Sequence, residues 1–144
     1  MAKQSKYEHG LFLIIVGLAA WAIPGAGHFI IKERGRAVII FITIAVTFLL
    51  GLYVGSIAVI DSVGAKIWYY GQILVSPAVG ALAQVTSQAV TESGEKVYVS
   101  YGNPNSIGQI YTAIAGLLNL LCIISAVYMA YCGRGELIGE EDAE

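Results

Sequence analysis

The sequence predicts an all-α integral membrane protein with three to four transmembrane helices, one of them a broken or re-entrant N-terminal segment, and a short aqueous β-hairpin. Three observations lead there. Hydrophobic residues make up 57% of the 144 and charged residues 12%, about half the charged share of an ordinary soluble domain. The mean hydropathy is +0.72. The apolar residues also gather into runs, at 11–31, 37–60, 67–85 and 107–131, and a helix needs about 20 such residues to cross a hydrocarbon core. A chain of this length reads as a single membrane domain, 1–144.

The first run opens behind Lys3 and Lys6. A basic start, an apolar stretch and Ala20-Trp21-Ala22 have the outline of a cleaved signal peptide. The return of apolar character at Phe29-Ile30-Ile31 favours an uncleaved segment instead. Pro24 lacks an amide hydrogen, and Gly25 and Gly27 loosen the backbone beside it, so Pro24-Gly25-Ala26-Gly27 must interrupt the helix. Lipid cannot satisfy the freed polar groups, which leaves a packed kink or the tip of a shallow re-entrant hairpin. The preference of Trp21 for the membrane interface favours the hairpin.

The turn Lys32-Glu33-Arg34-Gly35-Arg36 precedes the run 37–60, the most secure span. There Gly51 and Gly55 stand at GxxxG spacing, which lets another helix backbone approach closely; packing within the chain and pairing between two copies both use such a face. A polar turn at Asp61–Lys66 and the aromatic cluster Trp68-Tyr69-Tyr70 lead into 67–85, read as a kinked span interrupted by Gln72, Ser76, Pro77 and Gly80. Residues 86–106 form an aqueous loop. Within it Glu95–Tyr101 alternates with the period of a strand, and Ser93-Gly94 could turn a hairpin. Asn103-Pro104-Asn105 reads as a turn, with Ser106 and Gln109 as a capping box opening the last helix. On that helix, 107–131, Thr112, Ala115, Gly116 and Asn119 share a face of small residues with one amide at its centre. Glu140, Glu141, Asp142 and Glu144 close an acidic tail, 133–144.

Charge sets orientation. With four spans, the eight Lys and Arg residues divide evenly between the two sides. With a re-entrant first run and an interfacial third, only Lys66 and Lys96 part from the others. The positive-inside rule favours the second arrangement, and in either the dense cluster Lys32, Arg34, Arg36 belongs in the cytoplasm.

Two stretches, Trp21-Ala-Ile-Pro-Gly-Ala-Gly-His28 with Arg34-Gly-Arg36, and Ile107–Leu121, together resemble an uncharacterised bacterial family of small multi-span membrane proteins. The first is also similar to the wider two-transmembrane-domain pattern. Phe29-Ile30-Ile31-Lys32 stands where that pattern has an aromatic residue and a glycine after the histidine. The resemblance implies a membrane location and no established activity; the expected location is a bacterial cytoplasmic (inner) membrane.

Little here points to catalysis. The net charge of −2 carries no basic stripe, which argues against nucleic acid, and Cys122 and Cys132 lack metal-ligand spacing. No cofactor, metal or enzyme activity is expected. His28, beside the Pro24 break, is the one candidate proton relay or ligand; donation to a carbonyl freed by the break is the plainer role. The leading expectation is a non-catalytic accessory or assembly subunit of a larger membrane complex, with the bilayer, other membrane subunits and a second copy of the chain as candidate partners. The alternative is a small transporter or channel component working through Pro24, Gly25, Gly27 and His28.

Overall fold

A computed structural model describes residues 2–60, 65–88 and 102–133, with residues 2–8 as backbone alone. Every regular element among the described residues is helical. These elements are α1 (Ala2–Ala22), α2 (Ala26–Ile30), α3 (Arg34–Gly55), a 3-10 turn (Ile57–Val59), α4 (Lys66–Ile73), α5 (Ala78–Gln88) and α6 (Gly102–Cys132).

Two of these, α3 and α6, are long and apolar enough to cross a membrane. They lie antiparallel along their whole length: Arg36 reaches Met129 at one end, and Gly55 faces Gly108 and Pro104 at the other. The expected GxxxG pair is at the heart of this contact. A Cβ on Gly51 would lie 2.7 Å from the Thr112 methyl, and one on Gly108 would lie 2.7 Å from the Gly51 carbonyl. Small residues therefore serve here to bring two backbones of one chain together, which is how helices associate when lipid gives no hydrophobic drive.

The other two apolar runs form no helix that meets this test among the described residues, so the expected three to four spans are not supported: two helices are long and apolar enough to cross. The run 11–31 folds as a helical hairpin. After Ala22 the chain turns through Ile23-Pro24-Gly25, where Gly25 adopts φ +85° with Ala37 O so close that a Cβ would collide with it. α2 then folds back on α1: a Cβ on Gly27 would sit 2.7 Å from that of Ala20, and Val16 and Ile31 share one buried cluster. Lys32, at φ 68°, reverses the chain into α3 without the glycine that the resemblance leads one to expect. The run 67–85 is a second helical hairpin rather than a kinked span. α4 runs inward from Lys66 and turns at Leu74–Pro77, and α5 returns far enough for the Thr86 hydroxyl to lie 3.3 Å from the Ile60 carbonyl. Pro24 and Pro77 cause both reversals, since neither can continue the preceding helix.

The two hairpins enter from opposite ends and stack along α6. His9 of α1 meets Tyr131, their ring centroids 6.1 Å apart, near the C-terminal end of α6, and Gly71 of α4 packs on Ala113 and Gly116. The core follows this arrangement. Val16, Ile31, Ala126, Met129 and Ala130 fill the level of the first hairpin, and Ile44, Ile60, Val75, Val79, Ala83 and Ala115 that of the second.

Other boundaries also move. α6 begins at Gly102, so Asn103-Pro104-Asn105 and Ser106 lie within its first turns instead of forming a turn and cap; Pro104 is tolerated there because first-turn amides have no intrahelical acceptor. Thr86–Gln88 belong to α5, which trims the expected aqueous loop at both ends. The expected β-hairpin around 93–101 lies outside the described residues, as do the tail beyond Gly133, Asp61 and Arg134.

Two substitutions test this packing. A Cβ on Gly116 would overlap the Gly71 carbonyl, whereas one on Gly10 meets nothing within 4 Å. Gly116→Ala should cost about 2 kcal/mol or more, and Gly10→Ala should be neutral or stabilise by about 0.5–1 kcal/mol, as read by thermal unfolding in mild detergent. Ser56, between α3 and the 3-10 turn, has φ 67° and ψ 168°, a region that glycine alone occupies readily at little cost. Ser56→Gly should therefore raise the unfolding temperature.

Candidate functional site

Each hairpin exposes a helix C-terminus at its tip, with carbonyls that have no intrahelical donor. Two such ends meet beside the middle of α6. Their carbonyls, from Ala20 and Ala22 of α1 and from Ile73, Leu74 and Val75 at the end of α4, converge on three side-chain donors. The Asn119 amide nitrogen lies 2.9 Å from Leu74 O, 3.0 Å from Val75 O and 3.4 Å from Ala20 O. Trp21 Nε1 donates to Ile73 O at 3.1 Å, and Ser76 Oγ donates to Ala22 O at 2.8 Å. Each tip thus caps the other, while Asn119 caps both.

All three groups near the Asn119 nitrogen are acceptors, so the amide must point its NH2 toward them. Two N–H bonds serve three carbonyls, and the longer contact to Ala20 is the shared one. Asn119 is fully buried, and its Oδ1 has no protein partner. The electrostatics are one-sided: two helix ends bring partial negative charge to one point, and neutral donors answer it. Trp21 is held at the tip because the facing hairpin offers its indole N–H an acceptor. The first hairpin reaches Asn119 through the Ala20 carbonyl.

A second polar contact supports α4. Gln72, fully buried, donates from Nε2 to Thr112 Oγ1 at 2.9 Å and to Val59 O at 3.2 Å, and the Thr112 hydroxyl donates to Gly108 O at 2.8 Å. This ties α4, the 3-10 turn and α6 together directly beside the Gly51/Gly55 contact.

The expected site residues fall into three places. Pro24, Gly25 and Gly27 form the turn and inner face of the first hairpin. Pro24 and Gly25 also line an apolar cavity of about 270 Å³ with Ile23, Phe29, Val38 and Phe41. His28 is buried on α2 with Nδ1 unpartnered, and its carbonyl accepts the Glu33 amide. It does not reach the Asn119 cluster. Gly51, Gly55, Gly116 and Asn119 line one continuous packing surface between α6 and its neighbours. Lys32, Arg34 and Arg36 are exposed at the end where α1 and α6 meet; Arg36 Nε lies 3.6 Å from Glu33, and Arg34 stands over the Phe29 ring at 5.8 Å. Among the described residues no three His, Cys, Asp or Glu side chains gather.

Sequence reasoning missed Trp21 and Ser76 as partners of this cluster, and missed the pairing of Gln72 with Thr112 and Val59, so that three donors went unread: Trp21, Ser76 and Gln72. The signal was present for the last two, since a polar side chain within an apolar run must find a partner. The partner itself is a backbone carbonyl, which carries no mark in sequence.

Because the cluster has donors and no spare acceptor turned toward the tips, its response to substitution has a definite sign. Asn119→Leu should lose about 2–3 kcal/mol by leaving the Leu74 and Val75 carbonyls unpaired. Asn119→Asp should be worse at neutral pH, because a carboxylate would face three carbonyls. Its unfolding temperature should recover as pH falls, when protonation restores an O–H donor; thermal unfolding of both variants across pH reads this directly.

A model of a family of unknown function (DUF6677) matches residues 15–135 of the chain. No curated protein and no solved structure matches it.

Proposed function

We propose, from the premise that the chain belongs to the DUF6677 family, that it is an integral membrane protein and a non-catalytic assembly subunit of a larger membrane complex. The observation that carries this reading is where the polar groups go. Asn119, Gln72, Trp21, Ser76 and Thr86 all donate to the chain's own carbonyls or hydroxyls. The surface turned outward is apolar: only 17% of the apolar window of α3 and 33% of that of α6 is buried. A soluble chain does not leave its most apolar helices uncovered; one that meets lipid and other membrane subunits does.

The membrane is a bacterial inner membrane in this reading, with the Lys32–Arg36 turn in the cytoplasm. Lys3, Lys6 and Arg134 adjoin the same end in sequence, whereas Lys66 opens α4 at the other, which agrees with the positive-inside rule. A maleimide that cannot cross the membrane should label Gly35→Cys only from the cytoplasmic side. It should label Ile67→Cys, 84% exposed at the start of α4, only from outside. The same side for both would remove the two-span topology.

Native mass spectrometry of the protein extracted from its own membrane in mild detergent tests the assembly role. Recovery with other subunits in fixed ratio supports it, and recovery alone as monomer or homo-oligomer sinks it. A second reading, as a small transporter component, is favoured by one observation: two opposed hairpins, each broken at a Pro-x-x-Gly (Pro24–Gly27 and Pro77–Gly80), meet at mid-depth. Transporter sites are commonly built from such broken helices in inverted repeats. Solute flux in liposomes, abolished by substitutions at Pro24, His28 or Pro77, would carry that reading.

A further inference from the structure

We propose that the cavity between α1, α2 and α6 binds an anionic phospholipid, with one acyl chain in its apolar interior and the phosphate held by Lys32 and Arg36. This rests on the membrane reading above and goes beyond it by naming a ligand and its site. The cavity has a volume of about 340 Å³ and is walled by Phe12 of α1, Ile30 of α2 and Ile31 just after it, and Met129 and Ala130 of α6, with Lys32 also lining it. That size lies within the range of sites that enclose a small ligand or part of a larger one.

Three features match a phospholipid and its orientation. The walls are apolar side chains from three separate elements, so the cavity depends on the first hairpin folding back. Cations stand at its mouth. Lys32 lines it directly, and Arg36 directs Nη1 to within 3.5 Å of the Met129 sulfur, another lining residue. The Nε of the same guanidinium lies 3.6 Å from Glu33. Finally, the mouth lies at the end of α6 where a headgroup would sit, beside His9 and Tyr131. A cavity apolar within and basic at the headgroup level complements an acidic lipid and gives a zwitterionic one no comparable advantage.

Arg34 provides an internal control. It belongs to the same turn, but stands over Phe29, which lines the separate cavity beside Pro24. Diffuse attraction to an acidic surface would use Arg34 as much as its neighbours, whereas a site would not.

The test is native mass spectrometry of the full chain in mild detergent, titrated with equal mixtures of phosphatidylglycerol and phosphatidylcholine. The wild-type protein should retain one phosphatidylglycerol in preference. The paired substitution Lys32→Gln with Arg36→Gln should reduce that preference by about tenfold or more, and Arg34→Gln should leave it in place. Equal retention of the two lipids by the wild-type chain, which requires no variant to fold, would overturn the proposal. So would an equal loss in Arg34→Gln, which would mark diffuse attraction, or displacement of the bound lipid by inorganic phosphate alone. Recovery of the chain in the soluble fraction of lysed cells would instead defeat the membrane reading itself, so the two failures are distinguishable.

Discussion

The fold depends on one constraint: a helix that ends against the middle of α6 leaves carbonyls that must find donors inside the protein. This chain stops two helices there. Pro24 and Pro77 break α1 and the end of α4 at nearly the same depth, and Asn119 places its amide between the two ends. The pairing of Trp21 with Ile73 and of Ser76 with Ala22 completes the set. Neither hairpin satisfies itself. Each supplies a donor to the other, so their stacking along α6 is a condition of their stability and not an incidental contact.

The small residues follow from that constraint. For Asn119 to reach both tips, α6 must lie close to α1 and α4, and α3 packs against α6 and both hairpins to hold it there. Gly116 lets the Gly71 carbonyl come against α6. Gly51, Gly55 and Gly108 do the same between α3 and α6, and Gly27 lets α2 lie between Ala20 and Ala126. Close van der Waals contact between backbones holds these crossings. Gln72 joins the two systems, since its amide bonds to Thr112, whose methyl packs against Gly51.

The sequence makes the two long helices legible because an unbroken apolar run of sufficient length has few alternatives: α3 and α6 lie where 37–60 and 107–131 predict them, with ends shifted by a few residues. The runs 11–31 and 67–85 were not legible to the same degree. Composition and length are identical for a kinked span and a helical hairpin, and only tertiary contacts separate them. Pro24 with its flanking glycines marks a break but not its angle. Trp21 gives no sign in sequence of its acceptor, the Ile73 carbonyl 52 residues away. Asn119 is visible as a lone amide on a small-residue face, yet its three acceptors lie at sequence separations from 44 to 99 residues, and backbone carbonyls look alike in every sequence.

The order of elements adds a last step. Each half of the chain runs as a hairpin followed by a long helix, and the halves point in opposite directions: α1, α2 and α3 begin and turn at one end, α4, α5 and α6 at the other. Packing does not respect this symmetry, since both hairpins lie chiefly against α6, with α3 packed beside it: Ala37 meets Gly25 of the first hairpin, and Ile44 shares a core with Val75, Val79 and Ala83 of the second. The consequence is mechanical. A symmetric pair of halves could rock about a shared centre, as repeats do in alternating access. Here one half supplies the backbone along which both hairpins are fastened, and moving either tip breaks bonds to the other hairpin and to Asn119 together. Such a centre resists the motion a carrier needs, which favours a fixed scaffold over a moving one. The same argument identifies the bonds whose release a transport motion would require, those of Asn119, Trp21 and Ser76.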